Sequence, residues 1–307
     1  MEDHSTRLAT TGNVVPRPQS TGATIKAYIE VTKPISVFLL VFTALAMMLV
    51  AMASHPFSWP QAVQALLAVT LACAGANAVS CYIDRDLDAQ MPRTARRPVP
   101  SGRIYPPERA LYWGLGLFAA SLVLAWGLNW VAFLCLWAGM LGYVGIYSLW
   151  LKRKSTWNII LGGFSGGLPP LFGWTAVTGD VSLLPILVGA LVVLWIPNHI
   201  WSLAIFYREQ YAKVKVPMLP VVCDIKKALH CLLATVILMV AFSIAIYFTG
   251  NWGMIYLGTA LVLGIAALVL SAHVYLHPER QKAWVLFKFS SPYLFLLFLA
   301  MMVDAWV

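Results

Sequence analysis

The sequence predicts an all-α membrane protein, nine transmembrane helices around a central cavity, and three observations carry that prediction. Hydrophobic residues make up 60% of the chain and charged residues 11%, where a soluble domain is about one quarter charged. Nine apolar stretches reach or approach the roughly 20 residues a helix needs to cross a bilayer. They lie at 35–53, 61–83, 110–128, 131–151, 158–177, 183–206, 229–248, 253–273 and 284–303. Finally, all 21 Lys and Arg fall in the N-terminal segment (Arg7, Arg17, Lys26, Lys33) or in the connections around 85–109, 152–154, 208–227 and 280–288. The alternate connections carry only Asp180, and the C-terminus Asp304. Positive charge on one side sets the N-terminus in the cytoplasm and, with nine crossings, the C-terminus outside a cell (plasma) membrane. The net charge of +9 is therefore topological and does not argue for nucleic acid.

Taken in order, residues 1–34 are polar, with Pro16, Pro18 and Gly22, and predict a flexible cytoplasmic segment ahead of a transmembrane domain at 35–307. They lack the apolar core of a signal peptide, and Glu2 and Asp3 argue against a transit peptide. Lys33-Pro34 starts the first span, with Lys33 at the headgroups. His55, Pro56, Trp59 and Pro60 form a short outer loop, Trp59 suiting the interface. On the second span Asn77, Ser80, Asp84 and Asp88 recur at intervals of three and four and share a helical face. Polar groups there imply a cavity, or a helix–helix seam of small residues. Three prolines in Met91–Arg103 exclude a long helix and predict a basic loop over the acidic end of that span. It suits an anion beneath it as well as lipid headgroups. Pro106-Pro107-Glu108 starts the third span, and Lys152, Arg153 and Lys154 end the fourth.

The fifth span carries Asn158, Gly162-Gly163, Gly166-Gly167 and Pro169-Pro170, a broken pattern tolerated in membranes where protein or a cavity satisfies the backbone. It is expected to wall the cavity. The sixth holds His199 and runs into Tyr207, Glu209 and Tyr211. A lone helical His is usually a packed core residue, but this one lies about two turns from a polar cluster. Val216-Pro217-Met218-Leu219-Pro220 follows as a rigid turn, and the last three spans are nearly featureless. The five cysteines show no metal-type spacing and are expected as small buried hydrophobes.

The chemistry concentrates at residues 77–98. Asp84 and Asp88 on one face bring two carboxylates about 5–6 Å apart at Cβ, which repel unless a cation or proton lies between them. Mg²⁺ is held by one or two carboxylates plus substrate phosphates, and arginines behind them grip phosphate in bidentate fashion. The bland alternative is a solvated helix end with Asp paired to Arg. At the end of a membrane span, where ionised groups are costly and usually functional, the metal–phosphate reading is preferred. Glu209 is a candidate third carboxylate facing Asp84 and Asp88.

These residues resemble the UbiA superfamily of intramembrane prenyltransferases, and within it the haem-directed branch. The resemblance rests on Tyr82–Asp88 with Met91 and Arg93-Thr94; on Leu149–Arg153 with Asn158 and Gly162-Gly163; on Pro169–Trp174; on His199-Ile200-Trp201; and on Val216–Pro220. It implies a UbiA-type fold and Mg²⁺-dependent transfer of a farnesyl group from farnesyl diphosphate to a vinyl group of haem b. It implies metal at Asp84, Asp88 and Glu209, with Arg93, Lys152 and Arg153 joining them in catalysis. Asn77, Ser80, Arg97, Asn158, His199, Tyr207 and Tyr211 are the implied substrate contacts, His199 toward the haem. Further implied partners are the lipid bilayer and a downstream haem-modifying enzyme. Two positions depart from the family pattern: Ser80 stands where Asn is usual, and Gln210 where the branch often keeps an acid. The alternatives are a prenyltransferase with another acceptor, a paralogue that only binds haem or isoprenoid, and a transporter. A transporter would place its charges near the midplane and show inverted repeats.

Overall fold

Apolar runs of this length satisfy their backbone only as helices once in lipid, and the computed structural model, which describes residues 20–249 and 252–307, is helical accordingly. Among the described residues eight helices are long and apolar enough to cross a membrane. In chain order they are α2 (Pro34–Met52), α3 (Trp59–Ile83), α5 (Glu108–Trp126), α6 (Trp130–Leu151), α9 (Leu183–Phe206), α12 (Ile225–Tyr247), α13 (Met254–Leu276) and α14 (Arg280–Asp304). Shorter pieces lie between or before them: α1 (Thr21–Glu30), α4 (Arg85–Gln90), α7 (Asn158–Gly163), α8 (Leu168–Thr178), α10 (Arg208–Lys213) and α11 (Leu219–Val222).

Two differences from the sequence reading have local causes. The predicted span at 158–177 is not one helix: α7 passes through a 3₁₀ turn, Phe164–Gly167, into α8. Gly pairs weaken the helix there, and the two prolines occupy the opening of α8, where a missing N–H costs nothing. The predicted flexible segment begins in residues 1–19, which lie outside the described residues. Its last part is a helix, α1, capped by the Ser20 hydroxyl accepting from the Ala23 N–H at 3.3 Å. Ala27 and Val31 are fully buried against Ala78, Cys81, Val99, Ile104 and Ala110. That apolar side supplies the ordering energy a polar, Pro-containing reading misses, while Ile25 and Ile29 stay exposed.

The helices pack as two groups. One core joins α2, α3, α5, α6 and α8; the other joins α2, α9, α12, α13 and α14. Small residues set the spacing in the first group. A Cβ on Gly75 of α3 would lie 2.6 Å from the Gly114 carbonyl of α5, and one on Gly114 2.8 Å from the Gly75 carbonyl. Such close backbones bind helices where lipid removes the usual hydrophobic drive. Trp59, Trp126 and Trp130 are exposed at one end of the bundle, and Trp113, Trp150 and Trp157 toward the other, as interfacial belts require. α2 belongs to both groups, and the space between them is a cavity.

Candidate active site

The cavity holds about 550 Å³. Apolar residues of α2, α3, α6, α9 and the α7–α8 segment form its wall, and the acidic end of α3 forms its mouth. The exposed Ile35 and Ser36 of α2 also line it, so it is open at the N-terminal end of that helix.

α3 stops where Asp84 takes φ −89°, ψ 2°, and α4 restarts at Arg85. The break keeps Asp84 and Asp88 together, the Asp88 N–H donating to the Asp84 carbonyl at 2.8 Å. Both carboxylates are buried, 2% and 5% exposed, and both line the cavity. The Asp84 Oδ2 accepts from Lys152 Nζ at 2.5 Å and from the Ser80 hydroxyl at 3.2 Å. Its Oδ1 is buried with no partner. Asp88 is held differently: Arg97 Nη1 donates to both its oxygens, at 3.0 and 2.8 Å. Burial would lower the Arg97 pKa, but the Asp88 carboxylate beside it raises it. Arg93 lies with its guanidinium 5.1 Å from the Tyr207 ring centre and donates to the Tyr211 hydroxyl at 3.3 Å.

The basic loop is therefore a cover over the carboxylates. It is tied down from the other side, where Arg103 forks onto Glu30 of α1 at 2.6 and 2.7 Å and donates to the Arg96 carbonyl at 2.7 Å. Hydrogen bonds from Arg103 hold the Glu30 carboxyl below its ordinary range.

Opposite α3, residues Leu141–Leu151 of α6 are π-helical. On an α-helix residues five apart differ by about 140° in direction; on a π-helix they stack. Tyr143 and Ser148 accordingly both face α3, donating to Asn77 Oδ1 at 3.3 Å and to Ser80 Oγ at 3.4 Å. Tyr147 and Lys152, also five apart and joined by a 2.8 Å backbone bond, both line the cavity. Gly162 makes room for Tyr147: a Cβ there would lie 2.9 Å from its Cβ. Asn158 is fully buried, its amide donating to the Lys152 carbonyl at 3.3 Å while its Oδ1 has no partner.

On the far wall His199 lies between the rings of Trp195 and Phe287, centroids 4.6 and 4.5 Å away. Its Nδ1 is 2.6 Å from the Ser290 hydroxyl oxygen, and that hydroxyl donates to the Phe287 carbonyl at 2.6 Å. With the hydroxyl donating to Phe287, its oxygen is open to an Nδ1–H of His199, the tautomer that leaves the Nε2 lone pair free.

The cavity brings together Asn77, Ser80, Asp84, Asp88, Arg93, Arg97, Lys152, Asn158, His199 and Tyr211 of the sequence-predicted set. Three others are not in its lining. Glu209 is exposed: α9 ends at Phe206, α10 restarts at Arg208, and the buried Tyr211 fixes which side of this one-turn helix faces inward. Glu209 is two positions away, on the opposite side. Among the described residues no group of three His, Cys, Asp or Glu is placed to hold a metal, so the expected Asp84–Asp88–Glu209 triad is not assembled. Arg153 forks outward onto Asp86, at 2.8 Å to each oxygen, with both side chains exposed; its hydrogen bonds hold the Asp86 carboxyl low. Tyr207 supports Arg93 from beneath. Gln210 buries its Oε1 without a partner and also lies outside the lining.

Sequence reasoning missed Lys33, which lines the cavity instead of reaching the headgroups. It takes the left-handed conformation, φ 56°, ahead of Pro34. Tyr143 and Tyr147 were also missed, and a Lys or Tyr at a helix end carries no signal that separates lining from anchoring.

The chain matches the UbiA prenyltransferase family over residues 39–300. It is 73% identical over 284 residues to a protein named protoheme IX farnesyltransferase from Desulforudis audaxviator, covering 92% of this chain and 90% of that one. It is 41% identical over 287 residues to one of the same name from Symbiobacterium thermophilum, covering 92% and 95%. A solved structure of digeranylgeranylglyceryl phosphate synthase superposes with a TM-score of 0.76 at 22% identity, over 92% of this chain and 99% of that one. A UbiA homologue from Archaeoglobus fulgidus bound to GPP and Mg²⁺ superposes at 0.64 and 16% identity, over 90% and 99%. At those identities the likeness concerns the fold. The family match over most of the chain, and relatives this similar along nearly their whole length, show that the chain belongs to the UbiA prenyltransferase family.

Proposed function

We propose that this chain transfers the farnesyl group of farnesyl diphosphate to a vinyl group of haem b within the membrane, giving haem O. The observation that carries this reading is the mouth of the cavity, where a buried carboxylate oxygen without a partner, Asp84 Oδ1, lies among cationic residues above a long apolar chamber. The similar proteins named protoheme IX farnesyltransferase support the choice of donor and acceptor.

The oxygens present suit Mg²⁺: Asp84 Oδ1 and Asn158 Oδ1 are buried, line the cavity and lack partners, and hard oxygen ligands are what this ion takes. When bound, Mg²⁺ supplies positive charge to the diphosphate as its bond to carbon breaks. Asp84 and Asp88 are the ligands we assign to it. Lys33, Arg93, Arg97 and Lys152, all at the mouth, bind the diphosphate and stabilise the charge that grows on it in the transition state. The C1–oxygen bond breaks, its electrons leave with diphosphate, and an allylic cation remains. The π electrons of the haem vinyl group form the new carbon–carbon bond to C1. Water adds to the resulting cation beside the porphyrin and loses a proton, leaving a hydroxyethylfarnesyl group. Asn77, Ser80, Tyr143 and Tyr147 hold the neck where C1 sits, and Tyr211 with Tyr207 holds Arg93 in place. The apolar wall excludes stray water from the cation.

His199 fits the role of haem-iron ligand. Its ring is fixed by two aromatic faces and by Ser290, and an Nδ1–H donated to Ser290 leaves the Nε2 lone pair for the iron. Such a partner on the other ring nitrogen is how proteins set a ligating tautomer. His199→Ala should lose haem affinity and the axial-ligand signature in the haem spectrum. An unchanged spectrum would end that assignment.

The orientation we infer puts the N-terminus and the cavity mouth in the cytoplasm, and the C-terminus outside the cell membrane, because the basic connections cluster at the mouth. The test of the whole reading supplies haem b, farnesyl diphosphate and Mg²⁺ to membranes holding the protein and measures pigment mass. A hydroxyethylfarnesyl haem lost in Asp84→Ala supports it. No heavier haem at any Mg²⁺ level would overturn it.

A further inference from the structure

The length of donor this cavity takes can be worked out from its walls. Two helices line it from the mouth downward and stop at the same depth. On α3 the lining residues run from Asp84 to Val69; on α6 they run from Lys152 to Leu136 and Cys135. The hydrogen bond from Tyr143 to Asn77 ties the two helices into one rung. Val69 lies 8 residues beyond Asn77, and Leu136 lies 7 beyond Tyr143, about 12 and about 10 Å of helix. Two independent measures thus put the floor at one level, while Phe118 of α5 lines the cavity higher up, its Cβ 3.2 Å from where a Cβ on Gly75 would lie. Between mouth and floor the wall is thin. Ala72, Cys73 and Ala76 of α3 and Gly139 of α6 all line it.

We infer that Val69 and Leu136 form a chain-length gauge, and that the prenyl tail runs down α3 to them while the haem lies against α9 and α14. The inference rests on the prenyl-transfer reading above. From Asp84 to Val69 is 15 residues, about 22 Å. A carboxylate–metal–diphosphate connection takes about 6 Å of that at roughly 2 Å per metal bond, leaving about 16 Å below C1. An extended polyprenyl chain advances about 1.25 Å per carbon–carbon bond, so geranyl reaches about 9 Å, farnesyl about 14 Å and geranylgeranyl about 19 Å. Farnesyl fills the channel to the floor. Geranylgeranyl overshoots the floor by about 3 Å, and geranyl leaves about 7 Å of the lower part empty.

The experiment has two arms. In the first, haem b is offered equal amounts of geranyl, farnesyl and geranylgeranyl diphosphates, and the haem product masses are compared among wild type, Leu136→Ala and Cys73→Phe. Leu136→Ala opens the floor and should raise the geranylgeranyl-to-farnesyl product ratio about tenfold or more. Cys73→Phe blocks the channel above the floor and should raise the geranyl-to-farnesyl ratio by a similar factor, since each methylene in an apolar pocket discriminates about tenfold or more. In the second, wild-type protein is photolysed with a farnesyl diphosphate analogue carrying a diazirine at its far end, and the adduct is mapped by peptide mass. The adduct should fall at 69–73 or 135–140. Active variants with unchanged product ratios, or an adduct at 195–203 or 287–291, would overturn the gauge. A variant inactive with every donor leaves the decision to the photoadduct. A wild type that makes no prenylated haem from any donor refutes the prenyl-transfer reading instead, and the adduct still locates the tail.

Discussion

Lys152→Met separates the electrostatic role of the mouth from its catalytic one. Lys152 Nζ and the Ser80 hydroxyl are the hydrogen-bond donors to the Asp84 side chain among the described residues, and Asp84 is 2% exposed while the Lys152 side chain is 18% exposed. Removing the ammonium leaves a buried carboxylate facing an apolar chamber. One-sided breakage of a buried pair costs about 3–5 kcal/mol, and the open cavity, which admits water, puts this case near 3. At about 2–4 °C per kcal/mol for a chain of this size class, thermal unfolding should drop by about 6–12 °C. Asp84→Asn removes the charge that needs a partner and leaves an ammonium that reaches water, so it should cost less. The double variant Asp84→Asn/Lys152→Met should recover part of the loss, a coupling of about 1–3 kcal/mol. Turnover should not recover. Each of the three should lose about 10²–10³ in kcat, because the diphosphate no longer meets the preorganised charge. Thermal unfolding of detergent-solubilised protein and product mass measure the two quantities. Additive stabilities, or a double variant with restored turnover, would refute the reasoning.

Arg153→Ala and Glu209→Gln should both keep turnover within a few fold of wild type, since Arg153 faces the exposed Asp86 and Glu209 lies outside the cavity; a hundredfold loss in either would return it to the site. Glu30→Gln should loosen the basic loop, seen as faster hydrogen exchange over 91–107, and raise KM for the donor more than it lowers kcat. The Glu30 side chain is 41% exposed, so screening limits the pair to about 1 kcal/mol. Because Arg103 depresses the Glu30 pKa from 4.5, the docking it provides is complete above that value and is lost as pH falls through the lower, folded one. Loop exchange should therefore quicken in acid in wild type and stay flat in the Gln variant. Gly173→Ala should destabilise by about 1–3 kcal/mol through overpacking, because a Cβ there would overlap the Ala44 carbonyl of α2; an unchanged melting temperature would show that α2 and α8 can move apart.

Span positions were legible because bilayer thickness imposes a length that composition reports directly. The break in the 158–178 segment was legible as Gly and Pro, although the sequence could not say that it would form three pieces. α1 was less so: its buried side is Ala27 and Val31, two residues that give no amphipathic signal against Ile25 and Ile29 on the exposed side. Legibility failed most where a change of helical pitch decided direction. Lys152 and Arg153 are adjacent and chemically alike, yet one meets Asp84 in the cavity and the other meets Asp86 outside it. A uniform α-helix aligns Tyr143, Tyr147 and Leu151 at intervals of four. The π-helical stretch aligns Tyr143 with Ser148 and Tyr147 with Lys152 instead. That shift pairs the hydroxyls of α6 with Asn77 and Ser80, and it is what turns Lys152 inward. The same logic explains Lys33: a left-handed residue before Pro34 redirects one side chain, and no residue type announces it.

The Asp84–Lys152 and Asp88–Arg97 pairs also bear on how the site works before substrate arrives. Each buried carboxylate is paired with a cation, so neither is left uncompensated next to lipid, while Lys33 and Arg93 leave the resting mouth net positive and suited to an anion. On the reading proposed above, Asp84 and Asp88 would hold the metal, which would supply positive charge to the diphosphate, and the freed Lys152 and Arg97 would turn to phosphate. Charge would be exchanged in place, which would let a site this polar persist at the end of a membrane helix. It follows that farnesyl diphosphate without metal should bind weakly, and metal without diphosphate weakly too. Their binding, measured by protection of Lys152 from amine-reactive labelling, should be strongly cooperative. Equal protection by either alone would show that the pairs do not exchange partners.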